Sequence, residues 1–266
     1  MNNLGQIEEY LGKINATLEG YLKSHESELS EVMKYTLMAP GKKIRPLVMT
    51  CVYNLCGGKS EEIFKFAAAI EMIHAYSLIH DDLPCMDDGE TRRGKPCSHL
   101  KFGESTALLA GDALLTGAFE IASTARLENL AAVLESINIL AALAGTSGMV
   151  LGQYEDLKGS ENILEVYKLK TANLFIACSK IGAVLAGASN ETIKIAEEFG
   201  FKMGILFQLA DDLIDEDIKK DDLISGMKAL DFARKLLTDA ESLLEKIGED
   251  NAALKHFLGL ISASIK

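Results

Sequence analysis

Apolar residues recur at spacings of three and four along nearly the whole chain, while the alternating segments that build half-buried strands are scarce. That pattern restricts the chain to helices packed on helices. The four prolines all fall between residues 40 and 96, so nothing later interrupts long helical runs. Pro40-Gly41 separates a first pair of helices from a third, which begins near Ile44 and ends at Gly57-Gly58. Ser60-Glu61-Glu62 reads as the cap and acidic first turn of a fourth helix, running from about residue 60 to Asp82. Pro84 closes it by disfavouring helical geometry at Leu83. Asp87–Phe102 reads as a polar loop, and helical patterns follow over 104–126, 129–155, 161–187, 190–216, 226–247 and 251–265. No repeat, low-complexity tract or long linker divides the chain, so one all-α domain over residues 1–266 is expected.

Hydrophobic residues make up 48% of the chain, enough to bury a sizeable core and to exclude disorder. A formal net charge of −12 argues against nucleic acid or an anionic membrane surface as partner, because both attract basic proteins. A chain this acidic that handles an anionic substrate has to gather cations locally or recruit metal ions. The five cysteines, Cys51, Cys56, Cys85, Cys97 and Cys178, form no C-x-x-C pair and no zinc-like cluster, which suits a reducing compartment. Met1 to Glu9 lack the basic start and apolar stretch of a signal peptide. The richest apolar stretch, around Leu108–Phe119, is interrupted by Asp112 and falls short of the roughly 20 residues a spanning helix needs. A cytoplasmic protein with no stable membrane insertion is expected.

His80-Asp81-Asp82-Leu83-Pro84-Cys85-Met86-Asp87-Asp88 places four carboxylates within eight residues. Held together without partners they would repel, and some would take up protons. Most aspartate runs are solvated turns, but this one follows a strongly apolar helix (Ala67, Ala68, Ile70, Met72, Ile73, Leu78, Ile79). Mg2+ resolves the repulsion, since it takes oxygen ligands and keeps positions open for substrate phosphates. A calcium loop of the EF-hand kind fails on register: with Gly89 as its sixth residue, the first is Pro84 and the twelfth Lys95.

A second cluster, Gln208-Leu209-Ala210-Asp211-Asp212-Leu213-Ile214-Asp215, lies in a helical pattern. Asp211 and Asp215 share a face, with Gln208 one turn earlier. One such motif is a weak signal; two, each ending an apolar helix, point to metal binding. The cations are also local. Gly41-Lys42-Lys43-Ile44-Arg45-Pro46 stands at a helix start, where free N–H groups favour anions. Arg92-Arg93-Gly94-Lys95 follows the first cluster, His74 shares a helix face with Asp81, and Lys170-Thr171 falls near the middle of a later helix. Singly these have mundane explanations as surface lysines, a solvated loop or a core histidine. Together they suit diphosphate, the ligand that uses both Mg2+ and cationic side chains.

In this order the motifs resemble the trans-isoprenyl diphosphate synthases, and among them the bacterial farnesyl diphosphate synthases. The likeness runs through Gly41–Pro46, Glu71–Pro84, Arg92–Pro96, Ala110–Leu115, Gly148–Gln153, Lys170-Thr171 and Gln208–Asp215. It implies an all-α fold of the isoprenoid synthase type, a single large helical bundle around a central active-site cavity. It implies a prenyltransferase that condenses isopentenyl diphosphate with an allylic diphosphate and uses about three Mg2+ ions. Asp81 and Asp87 would bind two ions and Asp211 a third, with Asp82, Asp212 and Asp215 beside them; Asp82 and Asp215 complete the candidate metal set. Arg92, Lys170, Thr171 and Gln208 would contact the allylic substrate, Arg92 and Lys170 acting in catalysis with the aspartates. Lys42, Arg45, His74 and Arg93 would hold isopentenyl diphosphate.

By the same resemblance, ionisation leaves an allylic cation in an apolar pocket, the double bond of isopentenyl diphosphate attacks it, and the released diphosphate takes the departing proton. Ser77 falls one turn, about 5.4 Å, before Asp81. The family links an aromatic residue at the place of Tyr76, and the extra Pro84-Cys85, with a fifteen-carbon product. Farnesyl diphosphate is therefore expected, with geranylgeranyl diphosphate as the alternative. Homodimers are the family habit. The chain departs from the pattern after Asp215, where relatives carry a longer, lysine-bearing loop and this chain reaches Asp222 and a last stretch of helix within a few residues. Lys219 or Lys220 is a candidate stand-in. Two rivals remain: a non-catalytic subunit of a heteromeric synthase, and a terpene cyclase, which would not need Lys42, Arg45 and His74.

Overall fold

The computed structural model describes residues 3–264. The chain clusters into two compact units, one of Glu8–Leu47 and Glu61–Glu128, the other of Val48–Ser60 with the described residues before Glu8 and from Asn129 onward. Helix α1 (Asn3–Ser24) belongs mostly to the first unit, and α3 (Ile44–Leu55) starts there and ends in the second. The first unit also holds α2 (Glu28–Leu37), α4 (Ile63–Asp81), α5 (Ser98–Phe102) and α6 (Glu104–Ser123). Its centre is α4, which buries Phe66, Ile70, Met72 and Ile73 and so has no solvated stripe. Helices α2 and α6 pack against it. A reciprocal capping box of Ser27 and Ser30 fixes the start of α2.

The second unit contains α7 (Leu130–Ala144), α8 (Met149–Leu157), α9 (Ile163–Val166), α10 (Asn173–Leu185), α11 (Asn190–Ile214), α12 (Ala229–Ile247) and α13 (Ala252–Ser264). Here the buried helix is α10, packed against α7 and α11, with α12 laid on the other helices through α11 and α13. Truncating Phe66 or Phe175, each fully buried, would cost about 3–5 kcal/mol. The all-α expectation is met: extended pairing among the described residues is confined to two hairpins of two-residue strands.

The boundaries differ from the sequence reading where local chemistry intervenes. Helix α4 starts at Ile63 without a side-chain cap, because the Glu61 and Glu62 carboxylates bond Lys13 and Lys65 and the Ser60 N–H donates to the Tyr53 hydroxyl. The expected loop over Asp87–Phe102 contains a hairpin, Thr91–Arg92 against Lys95–Pro96, and then α5. Arg93 and Gly94 have φ values of 53° and 74°, the pair of positive angles that a tight two-residue hairpin turn needs. The run over 129–155 breaks into α7 and α8, since Gly145 and Gly148 fold the backbone against the carbonyls of Ala141 and Leu143. The pattern over 161–187 is interrupted by a π-helical turn, Tyr167–Ala172. Residue 265 of the last expected helix lies outside the described residues. Leu130–Leu157, unlike the stretch singled out in the sequence, has the length and apolar composition of a membrane span, a test that core helices of soluble proteins also pass.

Candidate active site

In the first unit the site grows from the end of α4. The chain turns back at once: Asp87 N–H donates to Asp81 O (2.9 Å), Asp88 N–H to Leu83 O (3.2 Å) and Gly89 N–H to Asp82 O (3.2 Å). Asp88 takes φ 49° to close the turn. Asp87, exposed, is thereby folded back to half-buried Asp81. Asp82 is only 4% exposed. Its two oxygens accept from Arg92 Nε at 2.8 and 2.9 Å, and Arg92 Nη2 approaches Oδ1 at 2.6 Å. The Cys97 thiol also bonds Asp82; burial and then that carboxylate push its pKa up to about 11. The hairpin that carries Arg92 thus forms a clamp on the middle aspartate.

The cations expected to hold isopentenyl diphosphate gather around α4. Arg45 Nη1 lies 3.5 Å from His74 Nε2. The Arg93 guanidinium lies against Gly41, beside Lys42, so closely that a Cβ on Gly41 would stand 3.0 Å from it. Burial, then Arg45 and the neighbouring Arg93, hold the His74 pKa well below the usual 6.5, so its ring is neutral near pH 7. Lys43, between the two candidate cations Lys42 and Arg45 in sequence, is buried and takes φ 44°. Its Nζ donates to Leu37 O (2.8 Å) and Glu71 Oε1 (3.1 Å). Glu71 and His74, one turn apart on α4, therefore meet Lys43 just before α3 and Arg45 in its first turn.

Tyr76 is 5% exposed, with its ring edge-on to His80 at 5.6 Å. Burial, and then Asp81, push its hydroxyl up to about 12. Ser77 turns its hydroxyl back onto His74 O (2.9 Å).

In the second unit the site is built on α8, the π turn and α11. The π turn displays Lys170 and Thr171, and its wider bonding is a common mark of functional helices. Lys170 Nζ donates to Asp156 Oδ2 of α8 at 2.6 Å. Thr171 Oγ1 donates to Gln208 Oε1 (2.7 Å), and Gln208 Nε2 donates to Asp212 Oδ1 (2.7 Å). The Tyr167 hydroxyl donates to Asp212 Oδ2. Burial, then Asp212, raise the Tyr167 pKa, so it stays a donor. Gly204 lets α11 lie close: a Cβ there would stand 2.5 Å from Ala172 Cα. Asp211 is half-buried, and exposed Asp215 caps α11 with its N–H on Asp211 O (2.9 Å). Beyond it the chain is continuous and short, with Asp222 accepting the Lys219 N–H at 2.8 Å, then a hairpin, Leu223–Ile224 against Met227–Lys228. Lys219 and Lys220 are exposed in that connection.

Among the described residues no three His, Cys, Asp or Glu side chains form a ready-made metal cage. The donor set nevertheless fits Mg2+, which takes one or two carboxylates per ion and leaves the rest to water and phosphate. Asp81, Asp87, Asp211 and Asp215 supply oxygen donors with access to solvent, while Asp82 is committed to Arg92.

A family model for polyprenyl synthetase matches residues 26–248. The chain belongs to this family. It is 39% identical to the farnesyl diphosphate synthase of Bacillus subtilis, over 79% of this chain and 76% of that protein. It is also 38% identical to geranylgeranyl pyrophosphate synthase 7, chloroplastic, of Arabidopsis thaliana, over 94% and 80% respectively. The apo FPP/GFPP synthase structure from Zymomonas mobilis superposes with TM-score 0.89 at 32% identity, covering 100% of this chain and 99% of that one. A geranyltransferase from Legionella pneumophila follows at TM-score 0.88, 30% identity and 98% coverage of both chains. The isoprenoid synthase fold expected from the motifs is therefore present, and this polyprenyl synthetase is an enzyme of the short-chain trans-isoprenyl diphosphate synthase type.

The sequence reading missed Glu71, Gln153, Asp156 and Tyr167. Glu71 was visible as the one acid inside an otherwise apolar helix, three residues before His74. Gln153 closes the Gly148–Gln153 motif, and neither atom of its buried amide has a protein partner. Asp156 follows one turn later on α8 and bonds Lys170. Nothing in the local pattern singled out Tyr167, since it is reached only through the π turn.

Proposed function

We propose that this polyprenyl synthetase condenses isopentenyl diphosphate with dimethylallyl and then geranyl diphosphate, with farnesyl diphosphate as end product. The observation that carries the reading is the cationic set Lys42, Arg45, His74 and Arg93 in the same unit as Asp81 and Asp87. A second diphosphate site is what condensation requires and cyclisation does not. Asp81, Asp87 and Asp211, with Asp215, would hold about three Mg2+ ions. Bound Mg2+ supplies neutralisation of the charge that builds on the departing diphosphate.

The chain's own groups do the rest. Arg92 and Lys170 hold the allylic diphosphate through its departure. Thr171 and Gln208 offer oxygen acceptors beside the carbon that becomes electron-poor. Lys42, Arg45 and Arg93 fix isopentenyl diphosphate as charges, and neutral His74 contributes hydrogen bonding without adding a further cation. The proton lost after carbon–carbon bond formation goes to the released diphosphate, so no protein base is required. Buried Tyr76, five positions before Asp81, favours the fifteen-carbon limit. The likeness to a plant geranylgeranyl synthase supports twenty carbons as the second reading.

The single-domain reading is kept as part of the proposal, because the family model spans residues of both units. So is a homodimer. Leu130 and Leu134 of α7 are 64% and 68% exposed and Ala141 is exposed beyond them, apolar surface that a second copy would cover. Light scattering that found a monomer at micromolar concentration would remove the dimer.

Purified protein given Mg2+, labelled isopentenyl diphosphate and each allylic primer is expected to yield a fifteen-carbon diphosphate. A twenty-carbon product would transfer the assignment to the second reading. Binding of both substrates without any product would leave a non-catalytic subunit.

A further inference from the structure

Gln208 is bound at both ends of one amide. Its Oε1 accepts from Thr171 and its Nε2 donates to Asp212 Oδ1, both at 2.7 Å. An amide has two senses, and rotation by half a turn would set its oxygen against the Asp212 carboxylate. Asp212, which can only accept when ionised, therefore dictates which way the amide points. Asp212 is itself anchored, because its other oxygen accepts from the Tyr167 hydroxyl. Tyr167 is 5% exposed and opens the π turn that carries Lys170 and Thr171.

We propose that Tyr167 is a positioning residue: through Asp212 it sets the sense of the Gln208 amide, and so the oxygens that Gln208 and Thr171 present to the allylic substrate. The inference rests on the prenyl-transfer reading above. It also gives Asp212 a role distinct from that of Asp211. Both Asp212 oxygens have protein partners, and its work is to hold an amide. The π turn matters because it brings Tyr167, Lys170 and Thr171 to the site from one short segment. A ring without its hydroxyl would fill the same space and leave one Asp212 oxygen without its donor.

The test begins with the parent protein. Calorimetric binding of a non-ionising allylic thiolodiphosphate in Mg2+, together with turnover of both substrates, establishes the prenyl-transfer reading; absence of both sinks that reading and this proposal with it. In a parent that binds and turns over, Tyr167→Phe is expected to lower kcat/KM for the allylic substrate about tenfold, the loss expected for one hydrogen bond to a charged group. The KM for isopentenyl diphosphate and the melting temperature should stay near the parent values. Analogue affinity should fall as the allylic KM rises. Tyr167→Phe combined with Asp212→Asn should be no worse than the poorer single variant, since both changes cut one chain of bonds. Multiplicative effects, equal losses for both substrates, or a fall in melting temperature with unchanged kinetics would each overturn the assignment and leave Tyr167 as packing alone.

Discussion

In the first unit the aspartate after Asp81 is withdrawn from solvent and spent on Arg92, whereas in the second unit the aspartate after Asp211 stays half-buried and accepts from Gln208 and Tyr167. The outer aspartates differ as well. Asp87 returns to Asp81 through a turn closed by backbone bonds, while Asp215 lies one helical turn beyond Asp211. A turn tolerates the additional Pro84-Cys85 between its aspartates; a helix would rotate the second carboxylate off the face. Similar letters are thus built by different means, and in each cluster the middle aspartate holds a neighbouring polar side chain, Arg92 in one and Gln208 in the other.

The sharpest way to break this comparison is to substitute neighbours. Asp81→Ala is expected to lower kcat about 10³-fold, the scale on which removing a transition-state electrostatic contact acts. Its melting temperature should hardly move. Asp82→Asn should instead cost about 2–4 kcal/mol of stability, because it leaves Arg92 beside a buried amide in place of its ion partner. Scanning calorimetry and steady-state kinetics on both variants decide the matter. An Asp82→Asn protein as stable as its parent would erase the distinction between outer and middle aspartates.

A smaller effect is expected at Glu71→Gln, which weakens the grip on Lys43 and loosens the loop carrying Lys42 and the start of α3, where Arg45 stands. The KM for isopentenyl diphosphate should rise about tenfold, as for one charged hydrogen bond, with the allylic KM unchanged. Equal rises in both would mean that the ion pair merely stabilises the unit.

The smallest effect concerns pH. His74 has a pKa below 6.5 in the folded chain, so below that pH the unfolded chain binds the extra proton first. Its contribution to stability is therefore intact above about 6.5 and is lost as pH falls towards the folded pKa. His74→Gln should flatten the decline in melting temperature between pH 7 and 5. A decline as steep as the parent's would assign the acid sensitivity to other groups.

The helical architecture was legible because it depends on spacing. So were the charged residues, since four carboxylates beside an apolar helix demand cations. Partner choice was hidden. Asp82 and Asp87 look alike in a string, and only the hairpin at Arg93-Gly94 turns Arg92 towards one of them. Lys43 sits between the candidate cations Lys42 and Arg45 in the sequence but is buried on Glu71, a pairing 28 positions away. The α7–α8 break was also missed, because Gly145 and Gly148 interrupt a run whose apolar period continues on both sides.

The π turn at Tyr167–Ala172 changes how this segment should be compared with others. A helical wheel drawn through 163–185 with one constant angle loses phase there, because each residue of an α-helix advances by about 100° and the wider turn absorbs part of an extra step. Residues drawn on one stripe before the turn leave it afterwards. An insertion or deletion of a single residue here would therefore act less like a change of length than like rotation of a key in its barrel, presenting different teeth of α10 to the same neighbours.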